Sequence, residues 1–199
     1  MRDVTGMRRV VLAAGLLNLA YFGIEIGIAR AIGSVSLFAD SIDFLEDAAV
    51  NALVFVAATW DARRRAAVGT MLAAILLVPG AATVWAIWQK VLSPVAPAAA
   101  TLSLTALGAL LINLLCALML ARQREHGGSL MRAAFLSARN DVLANVAMIA
   151  AGAATAVTLS HWPDLIVGAG IFFLNLDAAR EVYGAARAER GDGDEPPSA

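Results

Sequence analysis

Charged residues are scarce: Asp, Glu, Lys and Arg make up 16% of the 199-residue chain, where a soluble domain carries about a quarter. So few charges cannot clothe a water-exposed surface, and a soluble globular domain is excluded. There is a single cysteine, Cys116, so neither an intrachain disulfide nor a thiolate cluster can form. Within its apolar run it reads as a small packing residue. The two histidines, His126 and His161, each stand alone in a hydrophilic break, and one imidazole per loop makes no metal site. Lysine occurs once, at Lys90, among 15 basic residues. No basic stripe interleaved with aromatics is present, which excludes a nucleic-acid partner. Neither a nucleophile beside a base nor a phosphate-cradling loop occurs, so the chain is not read as an enzyme.

Apolar residues are abundant, at 60% of the chain with a mean hydropathy of +0.72. A helix crossing a bilayer needs about 20 mostly apolar residues. Six segments qualify, at 10–31, 36–59, 66–89, 98–121, 133–158 and 163–186. The breaks fall at Gly33-Ser34, at Asp61 to Arg65, at Ser93 to Pro97, at Arg122 to Gly128 and at Ser160 to Pro163. Pro163 suits the first turn of a helix, and Pro79-Gly80 predicts a kink inside the third span. The predicted fold class is all-α: a polytopic membrane protein of six transmembrane helices. Arg2, Arg8 and Arg9 imitate the start of a signal peptide, but the apolar stretch behind them is too long and has no small-residue cleavage site. It is read as a retained first helix.

Orientation follows from the basic residues. Arg2, Arg8, Arg9, Arg63, Arg64, Arg65, Arg122, Arg124, Arg132, Arg180, Arg187 and Arg190 all fall on one side, with Arg30 and Lys90 near the other. Both termini are therefore expected in the cytoplasm, and six spans satisfy that parity. Residues 1–9 form a cytoplasmic N-terminus, 10–187 a six-helix transmembrane domain, and 188–199 a disordered acidic tail. No folded cytoplasmic domain is expected after the membrane region. The expected location is the cell membrane, inner or plasma, with lipid as the surroundings. Trp85, Trp88 and Trp162 suit an interfacial belt.

Acids occur where lipid should exclude them. In the second span Asp40, Asp43, Asp47 and Asn51 are spaced 3, 4 and 4, which places them on one helix face. In the fifth, Ser137, Asp141 and Asn145 are spaced 4 and 4. The two spans share a register, with Asp43, Asp47 and Asn51 matching Ser137, Asp141 and Asn145. An Asp at a span centre costs about 2.5–3.5 kcal/mol, so Asp43, Asp47 and Asp141 uncompensated would cost roughly 7–10 kcal/mol, as much as the stability of an ordinary domain. The stripe carries no opposite charge of its own. Either it is a solvated or interface-facing polar face, or a cation compensates it. Carboxylates one turn apart on one helix, joined by one from a neighbour, can converge on a divalent metal. Ligation needs them deprotonated, whereas burial and mutual repulsion favour protonation. Metal and protons should therefore compete, which is the physical basis of antiport.

Several other polar residues carry alternative readings. Asp40 either extends the stripe or caps and hydrates the helix start. Glu25 lines a cation path, accepts protons, or partners a polar group on a neighbouring helix. Arg139 either forms a structural ion pair with Glu46 or snorkels to the cytoplasmic edge. Asn113 and Asn175 suit interhelical hydrogen bonds.

The stretch from Asn18 through Glu25 to Gly33-Ser-Val-Ser-Leu-Phe-Ala-Asp40-Ser-Ile-Asp43-Phe-Leu-Glu-Asp47 resembles the first two helices of cation diffusion facilitator transporters, also called the cation efflux family. Ala133-Ala-Phe-Leu-Ser137-Ala-Arg-Asn-Asp141-Val-Leu-Ala-Asn145 resembles their fifth helix, and Trp162-Pro-Asp164 the start of their sixth. The resemblance runs over about residues 8–187. It implies six helices, cytoplasmic termini and a tetrahedral metal site built from Asp43, Asp47, Ser137 and Asp141. It also implies export of Zn, Cd, Co, Fe, Ni or Mn in exchange for protons, with no permanently bound cofactor. Three features depart from the family. Ser137 stands where His, Asp or Asn is usual, so water or Asn140 is needed to complete the shell around the metal, with Asn51 and Asn145 nearby. No span contains His, so the site is all oxygen, which favours Mn or Fe(II) over Zn. The family's C-terminal cytoplasmic domain is expected to be absent, which weakens the expectation of a homodimer. A degenerate homologue acting as a membrane partner or assembly subunit, or a proton-coupled carrier of an organic cation, are the alternatives.

Overall fold

Long runs of Ala, Leu, Val and Ile leave helix as the way to pair every backbone N–H and C=O away from water. The computed structural model describes residues 4–57, 81–122 and 128–174. These form α1 (Val4–Ile32), α2 (Val35–Ala57), α3 (81–92 as described), α4 (Ala99–Ala121), α5 (Gly128–Thr158) and α6 (Trp162–Leu174), with no strand among the described residues. Residues 66–80 of the predicted third span, with Pro79-Gly80, lie outside the described residues. So do the loop arginines Arg63 to Arg65, and everything from Asn175 onward, including the tail.

The breaks have local causes. Gly33 takes a left-handed conformation, φ +63°, and the Ser34 amide donates 3.0 Å back to the Ala29 carbonyl. That is the glycine-ended helix cap that reverses the chain between α1 and α2. Pro94 and Pro97 keep 93–98 non-helical before α4. Pro163 falls in the first turn of α6, where its missing N–H is not needed. Two helices begin earlier than their apolar runs. α1 takes in Arg8, whose guanidinium lies 4.6 Å over the Phe55 ring. α5 starts at Gly128 rather than near 133, because Ser129 to Arg132 contain no proline or cap to stop it.

α1 packs along α2 and α4 along α5, and the two pairs join through α1 with α4 and α2 with α5. The interior is lined with small side chains: Ala14, Ala29, Ala39, Ala106, Ala109, Ala117, Ala138 and Ala151 are all buried. Such residues let helix backbones approach closely. The outer faces carry the bulk instead. On α4, Leu104, Leu107, Leu111, Leu114, Leu115 and Leu118 are exposed, while Thr105, Asn113 and Cys116 are buried. Large apolar residues outside and amides and carboxylates inside invert the pattern of a water-soluble protein and suit a lipid solvent. Among the described residues, three helical segments are long and apolar enough to cross a membrane: Arg8–Ile32, Ala99–Ala121 and Ala138–Thr158. α2 is 23 residues long, but Asp40, Asp43, Glu46 and Asp47 lower its hydropathy.

α6 meets the start of α2 at Gly168. A β-carbon there would stand 2.8 Å from the Ser36 amide nitrogen and from the Val35 carbonyl carbon. Backbone cannot yield as a flexible side chain does. Gly168→Ala is expected to destabilise the protein by about 1–3 kcal/mol through overpacking, read as a lower thermal midpoint in detergent; an unchanged midpoint would place α6 farther from α2.

Candidate functional site

The antiparallel register of α1 and α2 is fixed by contacts at successive levels. Gly15 faces the Asn51 β-carbon, the Asn18 amide donates 3.4 Å to the Asp47 carboxylate, and the Tyr21 and Phe44 rings lie 4.9 Å apart. One turn farther, Glu25 meets Asp40. The spacing of 3, 4 and 4 along α2 thus turns its acidic face inward: Asp40 is fully buried, Asp43 is 8% exposed and Asp47 6%. Asp40 neither caps the helix nor reaches solvent.

α5 brings Asp141 against this face. Asp43 and Asp141 lie within electrostatic reach of each other, and Asp141 lies within that of Asp47, Asp40 and Glu46. Asp141 is half-buried. The register shared by α2 and α5 has a structural counterpart. Asn51 donates 2.8 Å to the Asp47 carbonyl, and Asn145 donates 2.7 Å to the Asp141 carbonyl. In both, the buried Oδ1 is left without a donor, so each helix offers a free amide oxygen one turn beyond its aspartate. Among the described residues, no three His, Cys, Asp or Glu side chains stand close enough together to enclose a metal ion. Ser137 belongs to α5, but its side chain lies outside the described ones.

Two sequence expectations are corrected here. The Glu46–Arg139 ion pair is not made: Arg139 is exposed, and its guanidinium donates 3.5 Å to Asn140. Arg139 is two residues from Asp141, about 200° around the helix, so it faces away from the acids. A hydrated guanidinium there avoids the desolvation a buried pair would require. Asn140 is likewise exposed and turned to Arg139, away from the acids. Arg139→Ala is accordingly expected to shift stability by no more than about 0.5 kcal/mol in thermal unfolding; a large loss would restore the ion pair with Glu46.

Sequence spacing missed a second polar cluster, at the start of α2. Asp164 on α6 is fully buried and accepts from the Ser34 hydroxyl at 2.6 Å, the Ser36 hydroxyl at 2.6 Å, the Val35 amide at 2.8 Å and the Ser36 amide at 3.1 Å. Ser34 in turn caps α2 by accepting from the Leu37 amide at 3.2 Å. The carboxylate thus sits at the positive end of the α2 dipole. Lys90 of α3, 7% exposed, lies 3.8 Å from Asp164 and donates to the Gly33 carbonyl. One carboxylate therefore ties α6, α3 and the α1–α2 turn to the helix that carries the acids. The available signals were the only lysine in the chain and an Asp in the first turn of the last span.

A family model described as the cation efflux transmembrane domain matches residues 11–184. No curated protein matches the chain.

Proposed function

The chain belongs to the cation efflux family of membrane transporters, and from that premise we propose that it exports a divalent metal cation in exchange for protons through the carboxylates of Asp43, Asp47 and Asp141. The observation that carries this reading is the meeting of acids from two helices, buried on α2 and half-buried on α5, within electrostatic reach. Like charges gathered in a bundle interior repel and forgo hydration. A doubly charged ion between them removes both costs, and drawing the three side chains inward around it is the movement ligation requires. Ser137 or water completes the shell, with the free oxygens of Asn51 and Asn145 as the nearest further acceptors. An all-oxygen site favours Mn or Fe(II) over softer ions. In this reading both termini are cytoplasmic, six helices span the cell membrane, and rocking of the helices exposes the site to each side in turn.

The test is a panel of Mn, Fe(II), Co, Ni, Zn and Cd in proteoliposomes of the full chain under a proton gradient. The expected result is metal uptake, strongest for Mn or Fe(II), that collapses when a protonophore dissipates the gradient. Because ligation needs ionised carboxylates, apparent metal affinity should fall as pH is lowered and recover as it is raised. Uptake of an organic cation insensitive to divalent metals would instead assign a different cargo. A protein that moves nothing would be an assembly subunit, and a pH-independent affinity would remove the proton coupling.

A further inference from the structure

Glu25 on α1 and Asp40 on α2 are not among the proposed metal ligands. Both are fully buried, and they face each other across the α1–α2 contact, one turn beyond the Tyr21–Phe44 ring pair. Yet none of their four oxygens receives a hydrogen bond. An ionised carboxylate only accepts; a protonated one also donates.

The surroundings supply neither a donor nor a cation. Tyr21, one turn before Glu25, already donates its hydroxyl to the Thr105 carbonyl at 2.6 Å. The described part of α4 carries no titratable side chain except Cys116, whose thiol lies 3.6 Å from the Asn18 carbonyl oxygen. On the described part of α6 the only such group is Asp164, held at the start of α2 together with Lys90 of α3. Arg30 and, on α5, Arg139 are exposed. The remaining groups within reach, Asp43 and Asp47 on the same face of α2 as Asp40 and Asp141 on α5, are acids. Two bare carboxylates side by side in this setting would repel each other without hydration. Nor do the two suit a metal, which needs more ligands than they supply, and no third His, Cys, Asp or Glu joins them among the described residues. A single proton meets the requirement, because the O–H of one carboxyl then donates to the other, as in paired carboxylates that share one proton.

We propose that Glu25 carries a proton hydrogen-bonded to Asp40, and that this proton is released when a divalent cation binds at Asp43, Asp47 and Asp141. The first half stands on the pair itself; the second rests on the cation site proposed above. Asp40 and Asp47 are seven residues apart on one face of α2, about 10 Å along the axis, so the field of a bound ion reaches the pair through a bundle interior of low polarity. The metal brings two positive charges and one leaves as a proton to the side on which the bundle is open, so the acidic interior becomes less negative by one charge.

The experiment is infrared difference spectroscopy on the full chain in lipid nanodiscs at neutral pH, which reads the C=O stretch of a protonated carboxyl group. Without metal, the expected wild-type spectrum contains such a band, lost in Glu25→Gln and shifted in Asp40→Asn, where the acceptor changes from carboxylate to amide. A wild type without the band, or a band unchanged by Glu25→Gln, overturns the proposal. Gln is isosteric with protonated Glu, and Asp40→Asn gives an independent reading should Glu25→Gln fail to fold. Manganese chloride is then added, with bound Mn followed by electron paramagnetic resonance. The band should disappear in the wild type, with release of about one proton per chain, and persist in Asp47→Ala. Manganese that binds without disturbing the band removes the coupling and leaves the cation site intact. If neither manganese nor zinc binds, the cation reading fails, and the metal-free spectrum still decides whether Glu25 holds a proton.

Discussion

Asp47→Ala abolishes metal transport: in proteoliposomes under a proton gradient the initial rate of metal uptake is expected to fall at least about 100-fold. Loss of an outer-shell partner alone commonly costs 10–100-fold in metal affinity, and loss of a ligating carboxylate should exceed that. The position explains the severity. Asp47 is 6% exposed, receives the Asn18 amide from α1 and lies against Asp141 of α5, so it stands where three helices meet. Its backbone carbonyl also holds Asn51 in place, and that bond survives the substitution. The variant should therefore keep its helical circular dichroism and lose only cargo. Transport persisting near the wild-type rate would mean that the acids of α2 are structural and the chain an assembly subunit.

Asp164→Ala should unfold the protein far more readily without touching the acids. It removes four hydrogen bonds to the start of α2 and the ion partner of Lys90. Breaking one side of a buried ion pair costs about 3–5 kcal/mol, because the remaining charge stays buried. For a chain of this size that lowers the thermal midpoint by about 10 °C. Combining Asp164→Ala with Lys90→Met removes the stranded charge and should recover part of the loss. If the double variant is no better than the single one, the cost lies in the unsatisfied amides of Val35 and Ser36 rather than in Lys90. A midpoint equal to the wild type would contradict the clamp altogether.

These two residues mark what the sequence could and could not reveal. The inward face of α2 was legible because helical spacing is a local property: positions three and four apart share a face whatever surrounds the helix, and Asp40, Asp43, Asp47 and Asn51 turn together. The α1–α2 break was legible for the same reason, since Gly33 supplies the left-handed cap. The Asp164 clamp was not, because its partners at Ser34, Val35 and Ser36 are about 130 residues away along the chain. Spacing within one helix cannot say which neighbour it meets. The Glu46–Arg139 pairing failed on the same point. Glu46 is next to Asp47 and Arg139 two residues from Asp141 in sequence, but on α5 the guanidinium is carried around the helix to the outer surface. Asn140 followed Arg139 for that reason. The match between Asp47/Asn51 and Asp141/Asn145, by contrast, proved geometric as well as sequential, because each asparagine bonds the backbone of the aspartate before it.

The central claim, that acids on two different helices share one divalent cation, is tested most directly by equilibrium binding of manganese to the purified full chain, wild type against Asp141→Asn. The variant keeps the shape of the α5 side chain and leaves every α2 carboxylate in place. A saturable site in the wild type that weakens at least about tenfold in Asp141→Asn is the predicted result. Equal binding by the two proteins, or none by either, would contradict a site built between α2 and α5.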